Sequence, residues 1–184
     1  DIDLLVSKDR ALDLRNLLLS RGFSGLPQGD LHPNKNHLEL LNQSGLGVEI
    51  HTSIGDENWL GALPEEEMLA TSRMVDGWEP FRILGPEAFL LHTSMHLARH
   101  YVTFGLKTTW GQRFVLESGN PIDWELLTQW SKRLRDQRRF WIAFQVFGED
   151  LGFPFPAEFL AQAPSDKRQR ILLNYARERL HLID

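Results

Sequence analysis

Two carboxylates one residue apart open the chain, in the run DIDLLV at residues 1–6. Side chains of a β-strand alternate between its two faces, so Asp1 and Asp3 would share one face while Ile2 and Leu4 point into a core. Carboxylate oxygens are hard ligands that suit Mg²⁺ or Mn²⁺, which take further ligands from water and phosphate. The spacing therefore predicts a divalent metal site. A solvent-facing start of a strand is the alternative, and this pair alone does not exclude it.

A third carboxylate follows from the run LGVEIH at residues 46–51. If this run is a strand, Val48 and Ile50 lie on its apolar face, and Glu49 and His51 lie on the other. The strand again places an acid opposite its apolar side, so Glu49 is the natural partner of the opening pair.

A strand, a helix and a hairpin are predicted to position these acids. Leucines recur on one face of residues 10–20, which indicates a helix, and Gly22 marks its end. A loop rich in Gly, Pro and Asn covers residues 25–36, and a hairpin follows with strands at 37–41 and 46–51. This order is typical of an α/β (α+β) unit with a small sheet.

The second half of the chain is predicted to be helical. After an irregular connector at 54–82, which holds one short helix near 64–70, helices are expected at about 85–101, 106–116, 123–134, 138–150, 156–162 and 166–180. We therefore predict two domains, residues 1–82 with the sheet and residues 83–184 as an all-helical domain. Within the second, Trp124, Trp130, Phe140, Trp141, Phe144 and Phe147 recur at helical spacing, which favours a core over a ligand cage.

Composition narrows the function classes. The chain has 184 residues, 42% of them hydrophobic, no Cys and a net charge of −5. It lacks the roughly 20 uninterrupted apolar residues of a membrane span, and the missing Cys fits a reducing compartment, so we predict a cytoplasmic protein without membrane contact. The negative charge argues against a generic nucleic-acid binder. Because the chain begins with Asp inside an expected core strand, we expect it to be a fragment of a longer protein.

These spaced motifs resemble those of the uncharacterised nucleotidyltransferase family, within the polymerase-beta-like nucleotidyltransferase superfamily. The likeness rests on the acid-hydrophobic-acid strand at residues 1–6, the hairpin strand VEIH at 48–51 and a later helix that carries His96 and His100. It extends to about Phe159. Members of the superfamily also carry a Gly-Ser turn ahead of the first acids, which would fall before Asp1.

The resemblance implies an enzyme that transfers a nucleoside monophosphate from a nucleoside triphosphate, ATP among them, to an acceptor. It implies a mixed sheet followed by a helical domain, and a metal pair, Mg²⁺ or Mn²⁺, held by Asp1, Asp3 and Glu49. Two metal ions about 3.5 to 4 Å apart can clamp both the attacking and the leaving oxygen of a phosphoryl group. The acceptor stays open between a small molecule, a sugar, RNA and a protein.

Three histidines, His92, His96 and His100, recur every four residues along one predicted helix. A pair four residues apart can share a metal ion, but the Glu of a zinc-protease helix is absent, since Leu97 follows His96. A contact with the substrate or its phosphates is the second interpretation, and packing is the third. By the resemblance, His96 and His100 are the predicted contacts.

Further contacts with the nucleotide are predicted near the hairpin. His51 shares a strand face with Glu49 and is close enough to orient a carboxylate or to touch a phosphate, while His37 lies on the partner strand and Lys35 just before it. Plain solvation of these polar groups is the alternative.

A basic run, KRLRDQRR, covers residues 132–139. An anionic acceptor such as RNA or a phosphorylated sugar is one interpretation. We favour a solvated helix end, because no aromatic residue interrupts the run.

The sequence thus predicts a metal-dependent nucleotidyltransferase. Two rival hypotheses remain: a non-catalytic binding or regulatory protein that kept the fold, and a metal-dependent phosphohydrolase that uses the histidine helix.

Overall fold

The computed structural model describes residues 2–25, 37–54, 63, 65–99 and 105–181. The chain divides into two compact units, residues 1–56 and 57–184. The domain boundary predicted after residue 82 stays a prediction, because compact units and domains need not coincide. Among the described residues, no helix combines the length and the apolar character that a membrane span requires.

The first unit is a four-stranded mixed sheet with one helix. Its elements are β1 (Ile2–Leu5), α1 (Ala11–Ser20), β2 (Ser24–Gly25), β3 (His37–Leu41) and β4 (Gly47–His51). The strands are ordered β1-β4-β3-β2, with β1 parallel to β4 and the other two pairs antiparallel. The predicted strand, helix and hairpin are confirmed; the short strand β2 was not predicted.

One face of this sheet is apolar. Alternate residues of β3 and β4 form a buried cluster with α1, whose members are Ala11, Leu38, Leu40, Val48 and Ile50, and Leu4, Val6, Leu14, Leu18, Leu19 and Phe23 pack against it. Burying a side chain of this size contributes about 1.5 to 3 kcal/mol. A slip of one residue would turn the apolar set to solvent, so this packing fixes which residues face the other side.

The turn of the hairpin fixes the register of β3 on β4. The Asn42 side-chain oxygen accepts hydrogen bonds from the backbone N–H groups of Ser44 and Leu46, at 3.0 and 2.8 Å. Gly45 has φ +82°, a conformation that disfavours any residue with a Cβ. Both interactions are local, so the hairpin can form before more distant contacts.

The second unit is mainly helical. Its elements are α2 (Glu65–Ala70), β5 (Arg73–Met74), β6 (Arg82–Ile83), α3 (Pro86–Arg99), α4 (Gly105–Glu117), α5 (Trp124–Arg133), α6 (Gln137–Gln145), a π-helical turn (Val146–Asp150), α7 (Ala157–Leu160) and α8 (Lys167–His181). The predicted helices are confirmed within a few residues. The antiparallel ribbon of β5 and β6 lies where only a connector with one helix was predicted.

Aromatic side chains form the core of this unit, as predicted. Phe140, Trp141, Phe144 and Phe147 are fully buried, Trp130 is nearly so, and Trp124 is partly buried. The rings of Phe140 and Trp141 meet edge to face with centroids 5.1 Å apart, a favoured arrangement.

The helix predicted over residues 138–150 changes type near its end. It is α-helical to Gln145 and continues as the π-helical turn. Gly148 in that turn packs closely, because a Cβ there would lie 3.0 Å from Leu160 Cδ1 and 3.2 Å from Phe155 Cδ2. The spacing of apolar residues did not reveal this change.

Candidate metal site

A row of acids crosses the open face of the four-stranded sheet. In the strand register Asp3 of β1 lies beside Glu49 of β4, and Glu49 lies beside Glu39 of β3. Residues in register share a face, and the chain neighbours of Glu39 and Glu49 belong to the apolar cluster on the other face. Leu4, next to Asp3, packs against this cluster, but Ile2 is 47% exposed, so the prediction that Ile2 points into a core is wrong. The alternation predicted for Asp3 and Glu49 is therefore realised, and the two predicted acids lie side by side.

His51 joins these two acids. Its Nε2 atom lies 3.1 Å from Asp3 Oδ1 and 3.3 Å from Glu49 Oε2. A carboxylate can only accept, so Nε2 carries the proton and donates to Asp3. The side chain of Asp3 is 63% exposed, while those of Glu49 and His51 are 29% and 28% exposed. The group is a shallow, open site.

The pKa of His51 is raised above its ordinary value. Burial of the ring acts to lower it, but the hydrogen bond to Asp3 and the negative charges of Asp3 and Glu49 together outweigh burial. In the metal-free protein this interaction stabilises the fold most fully below the pKa of an unfolded His, and the contribution is lost as the pH rises through the folded pKa.

The donor set fits a divalent cation. One ligand atom from each of Asp3, Glu49 and His51 lies within 4.8 Å of the others, the one group of three such residues in the described parts of the chain. Two carboxylate oxygens suit Mg²⁺ and Mn²⁺. His51 Nε2 can be a ligand only after it loses its proton, and such a nitrogen donor would favour Mn²⁺ over Mg²⁺. His51 can alternatively orient the carboxylates from beside the ion.

The structure describes the other predicted site residues only in part. Asp1, Lys35 and His100 lie outside the described residues, so their roles stay predictions. The backbone of His37 pairs with that of His51, but its side chain is also outside what is described. His96 is exposed on α3 in the second unit.

The histidine helix gives no support for a metal site within the described residues. The ring centroids of His92 and His96 are 6.2 Å apart, and neither belongs to the group of three metal-ligating residues.

Glu39 is the residue that the sequence analysis missed. It is half-buried and lies in register with Glu49. The signal was present, since Glu39 alternates with Leu38 and Leu40 as Glu49 does with Val48 and Ile50.

Sheet, site and helical region together define a nucleotidyltransferase-like fold with an acidic site on its sheet. The sequence model of an uncharacterised nucleotidyltransferase family matches residues 1–151, and the chain belongs to that family. Membership supports a general nucleotidyltransferase function. No curated protein matches the chain. No solved structure matches it either.

Proposed function

We propose that the protein is a metal-dependent nucleotidyltransferase, which moves a nucleoside monophosphate from a nucleoside triphosphate to an acceptor. The observation that carries the proposal is the placement of Asp3 and Glu49 on adjacent parallel strands, in register and both in contact with His51. Membership in the family supplies the reaction class. The nucleotide base, the acceptor and the metal are parts of the proposal.

Asp3 and Glu49, with Asp1 as the predicted third acid, would hold the divalent cation. A cation bound there would neutralise phosphate charge and stabilise the attacking and leaving oxygens of the displacement. Asp3 and Glu49 start from fixed strand positions, so little ordering is needed to present both oxygens. His51 holds the two carboxylates in one orientation and places a proton donor beside them.

The remaining predicted residues would contact the triphosphate. Lys35, His37, His96 and His100 are proposed as donors to its oxygens, because a cationic or neutral N–H donor complements phosphate. Each can be replaced by Ala and ranked by the Michaelis constant for the nucleotide.

The decisive experiment is a calorimetric titration of the protein, first with Mn²⁺ or Mg²⁺ and then with each nucleoside triphosphate. We expect cation binding that Asp3→Asn and Glu49→Gln weaken, and a triphosphate-binding event that requires the cation and is weakened by the same two substitutions. Asp13→Asn is the matched control, because Asp13 is an exposed acid of α1, outside the acid row. Absence of any nucleotide binding that depends on both the cation and Asp3 would contradict the proposal.

Transfer itself needs a second measurement. A triphosphate labelled at its α-phosphorus would be incubated with small molecules, sugars, RNA and proteins as acceptors, and the label should move in a manner that depends on Asp3. Cation and nucleotide binding without any transfer would instead favour the non-catalytic hypothesis.

A further inference from the structure

A basic cleft lies in the second unit, far along the chain from the acid row. Its volume is about 580 Å³, and four of its eight lining residues are arginines. The arginines are Arg135, Arg138, Arg139 and Arg168, and one acid, Asp136, lies among them. The cleft contains the end of the basic run that the sequence analysis had interpreted as a solvated helix end.

Two helix starts are joined at this cleft. Arg138, in the first turn of α6, donates from its two terminal nitrogens to Asp166, just before α8, at 2.9 and 2.7 Å. Buried Gln169 of α8 donates to the carbonyl oxygen of Arg138 at 3.3 Å and to Gln145 at 2.8 Å. These bonds hold the N-terminal ends of both helices, which carry partial positive charge, at one place.

The positive charge of the cleft is only partly compensated. Arg138 is paired with Asp166, and Arg139 with Asp136 at 3.0 Å. The side chains of Arg135 and Arg168 are exposed and have no hydrogen-bond or ion-pair partner within the described residues. Two guanidinium groups of the cleft thus remain available to a ligand.

We propose that this cleft binds a small phosphorylated ligand through its phosphate groups, held chiefly by Arg135 and Arg168. The planar guanidinium fork matches phosphate oxygens and can bind two of them at once. The volume lies within the range of small-molecule sites, about 300 to 1,000 Å³. Among the described residues that line the cleft, Leu134 and Pro164 are apolar and none is aromatic, so these residues offer no ring on which a nucleobase could stack.

This site shares no residue with the acidic site, and its proposed ligand goes beyond the proposed transfer reaction. The ligand class is small phosphate esters and polyphosphates rather than RNA, because recognition of single-stranded RNA relies on stacking as well as on phosphate contacts. The two sites can be separated experimentally, since phosphate binding in the cleft needs no divalent cation.

The test is calorimetric titration of the protein with inorganic tripolyphosphate in the presence of EDTA, which removes divalent cations. We expect binding that weakens about tenfold or more in Arg135→Ala/Arg168→Ala, because charge-assisted hydrogen bonds are lost. The matched control is Arg21→Ala/Arg73→Ala, which removes the same charge from two exposed arginines elsewhere. It should bind as the unmodified protein does.

A second variant tests the sign of the effect. Asp136→Asn keeps a side-chain oxygen that can accept from Arg139 N–H at the start of α6 but removes the negative charge from the cleft. Tripolyphosphate should bind it about threefold more tightly, as removal of a nearby like charge predicts.

Three outcomes would overturn the proposal. They are an absence of tripolyphosphate binding, equal weakening in the two double variants, and tighter binding of a short single-stranded RNA that depends on the same arginines. None of them bears on the nucleotide binding that requires a cation and Asp3, so a failure here is distinguishable from a failure of the transferase proposal.

Discussion

The two units of the chain arrange their charges in opposite ways. In the first unit Asp3, Glu49 and Glu39 lie in one row, so acids face acids across neighbouring strands. In the second unit opposite charges meet, as in the bonds of Arg177 to Asp150 at 2.7 Å and to Glu149 at 2.6 Å.

The comparison indicates that paired charges in the second unit stabilise the fold, whereas the acid row of the first unit is suited to a ligand. Like charges directly opposite one another in a sheet are destabilising, whereas paired charges between helices contribute modestly to stability. A row of acids therefore costs stability in the metal-free protein, His51 offsets part of that cost through Asp3 and Glu49, and the proposed cation would offset the rest. The arginine cleft is intermediate, because two of its arginines are paired and two are not.

Loss of a proposed ligand should give the largest effect. Glu49→Gln should weaken Mn²⁺ binding by about a hundredfold, an effect at the upper end of that seen when groups around a metal site are changed. Calorimetry with Mn²⁺ measures this, with Asp13→Asn as the control. An unchanged affinity of Glu49→Gln for Mn²⁺ would show that Glu49 is not a metal ligand.

Loss of a paired arginine should lower the stability of the fold and leave the affinity for the metal ion unchanged. Arg177→Ala breaks the two contacts that tie α8 to the π-helical turn, so the free energy of unfolding should fall by about 1 kcal/mol, discounted for partial exposure. Urea denaturation measures this. Mn²⁺ affinity should stay constant, and a joint loss of stability and metal binding would contradict the comparison.

Removal of one acid from the row should have a smaller and opposite effect. Glu39→Gln relieves the repulsion between Glu39 and Glu49, so the metal-free protein should gain about 0.5 kcal/mol in the free energy of unfolding. Urea denaturation in EDTA checks the sign. A loss of stability would show that Glu39 supports the fold rather than the site.

The smallest expected effect concerns Asp166 and the pH. Backbone hydrogen bonding from Gln169, together with Arg138, lowers the pKa of Asp166. Its charge should therefore stabilise the fold above the pKa of an unfolded Asp, about 4, and this contribution should be lost as the pH falls through the lower folded value.

Asp166→Asn keeps the oxygen that accepts from Gln169 N–H and removes the charge. The stability gap between this variant and the unmodified protein should be constant from pH 5 to pH 7 and should narrow near pH 3, as followed by denaturation at each pH. A gap that widens on acidification would mean that the charge of Asp166 is not stabilising.

Short-range patterns were enough to predict that Asp3 and Glu49 lie on the face of the sheet opposite its apolar residues. Strand alternation places Asp3 and Glu49 opposite apolar residues, and a strong apolar set on one side forces both acids to the other. The same rule would have found Glu39. The helices of the second unit were likewise predicted from the spacing of their leucine and aromatic residues.

Features that depend on distant contacts could not be predicted in this way. The strands of the β5 and β6 ribbon have two residues each, too few to show an alternation. The basic cleft needs Arg138 beside Asp166, 28 residues away, and no local pattern encodes that meeting. The end of α6 in a π-helical turn depends on Gly148 packing against Phe155 and Leu160.

The parallel pairing of β1 with β4 has a consequence for the order of folding. Glu39, Glu49 and His51 come together within a local hairpin, but Asp3 reaches them only by closing a loop of more than 40 residues. Non-local contacts of this kind form slowly, so the complete set of ligands should arise late in folding. A cation that binds Asp3 together with Glu49 would slow unfolding with little effect on the folding rate. The bound cation would then keep β1 paired with β4.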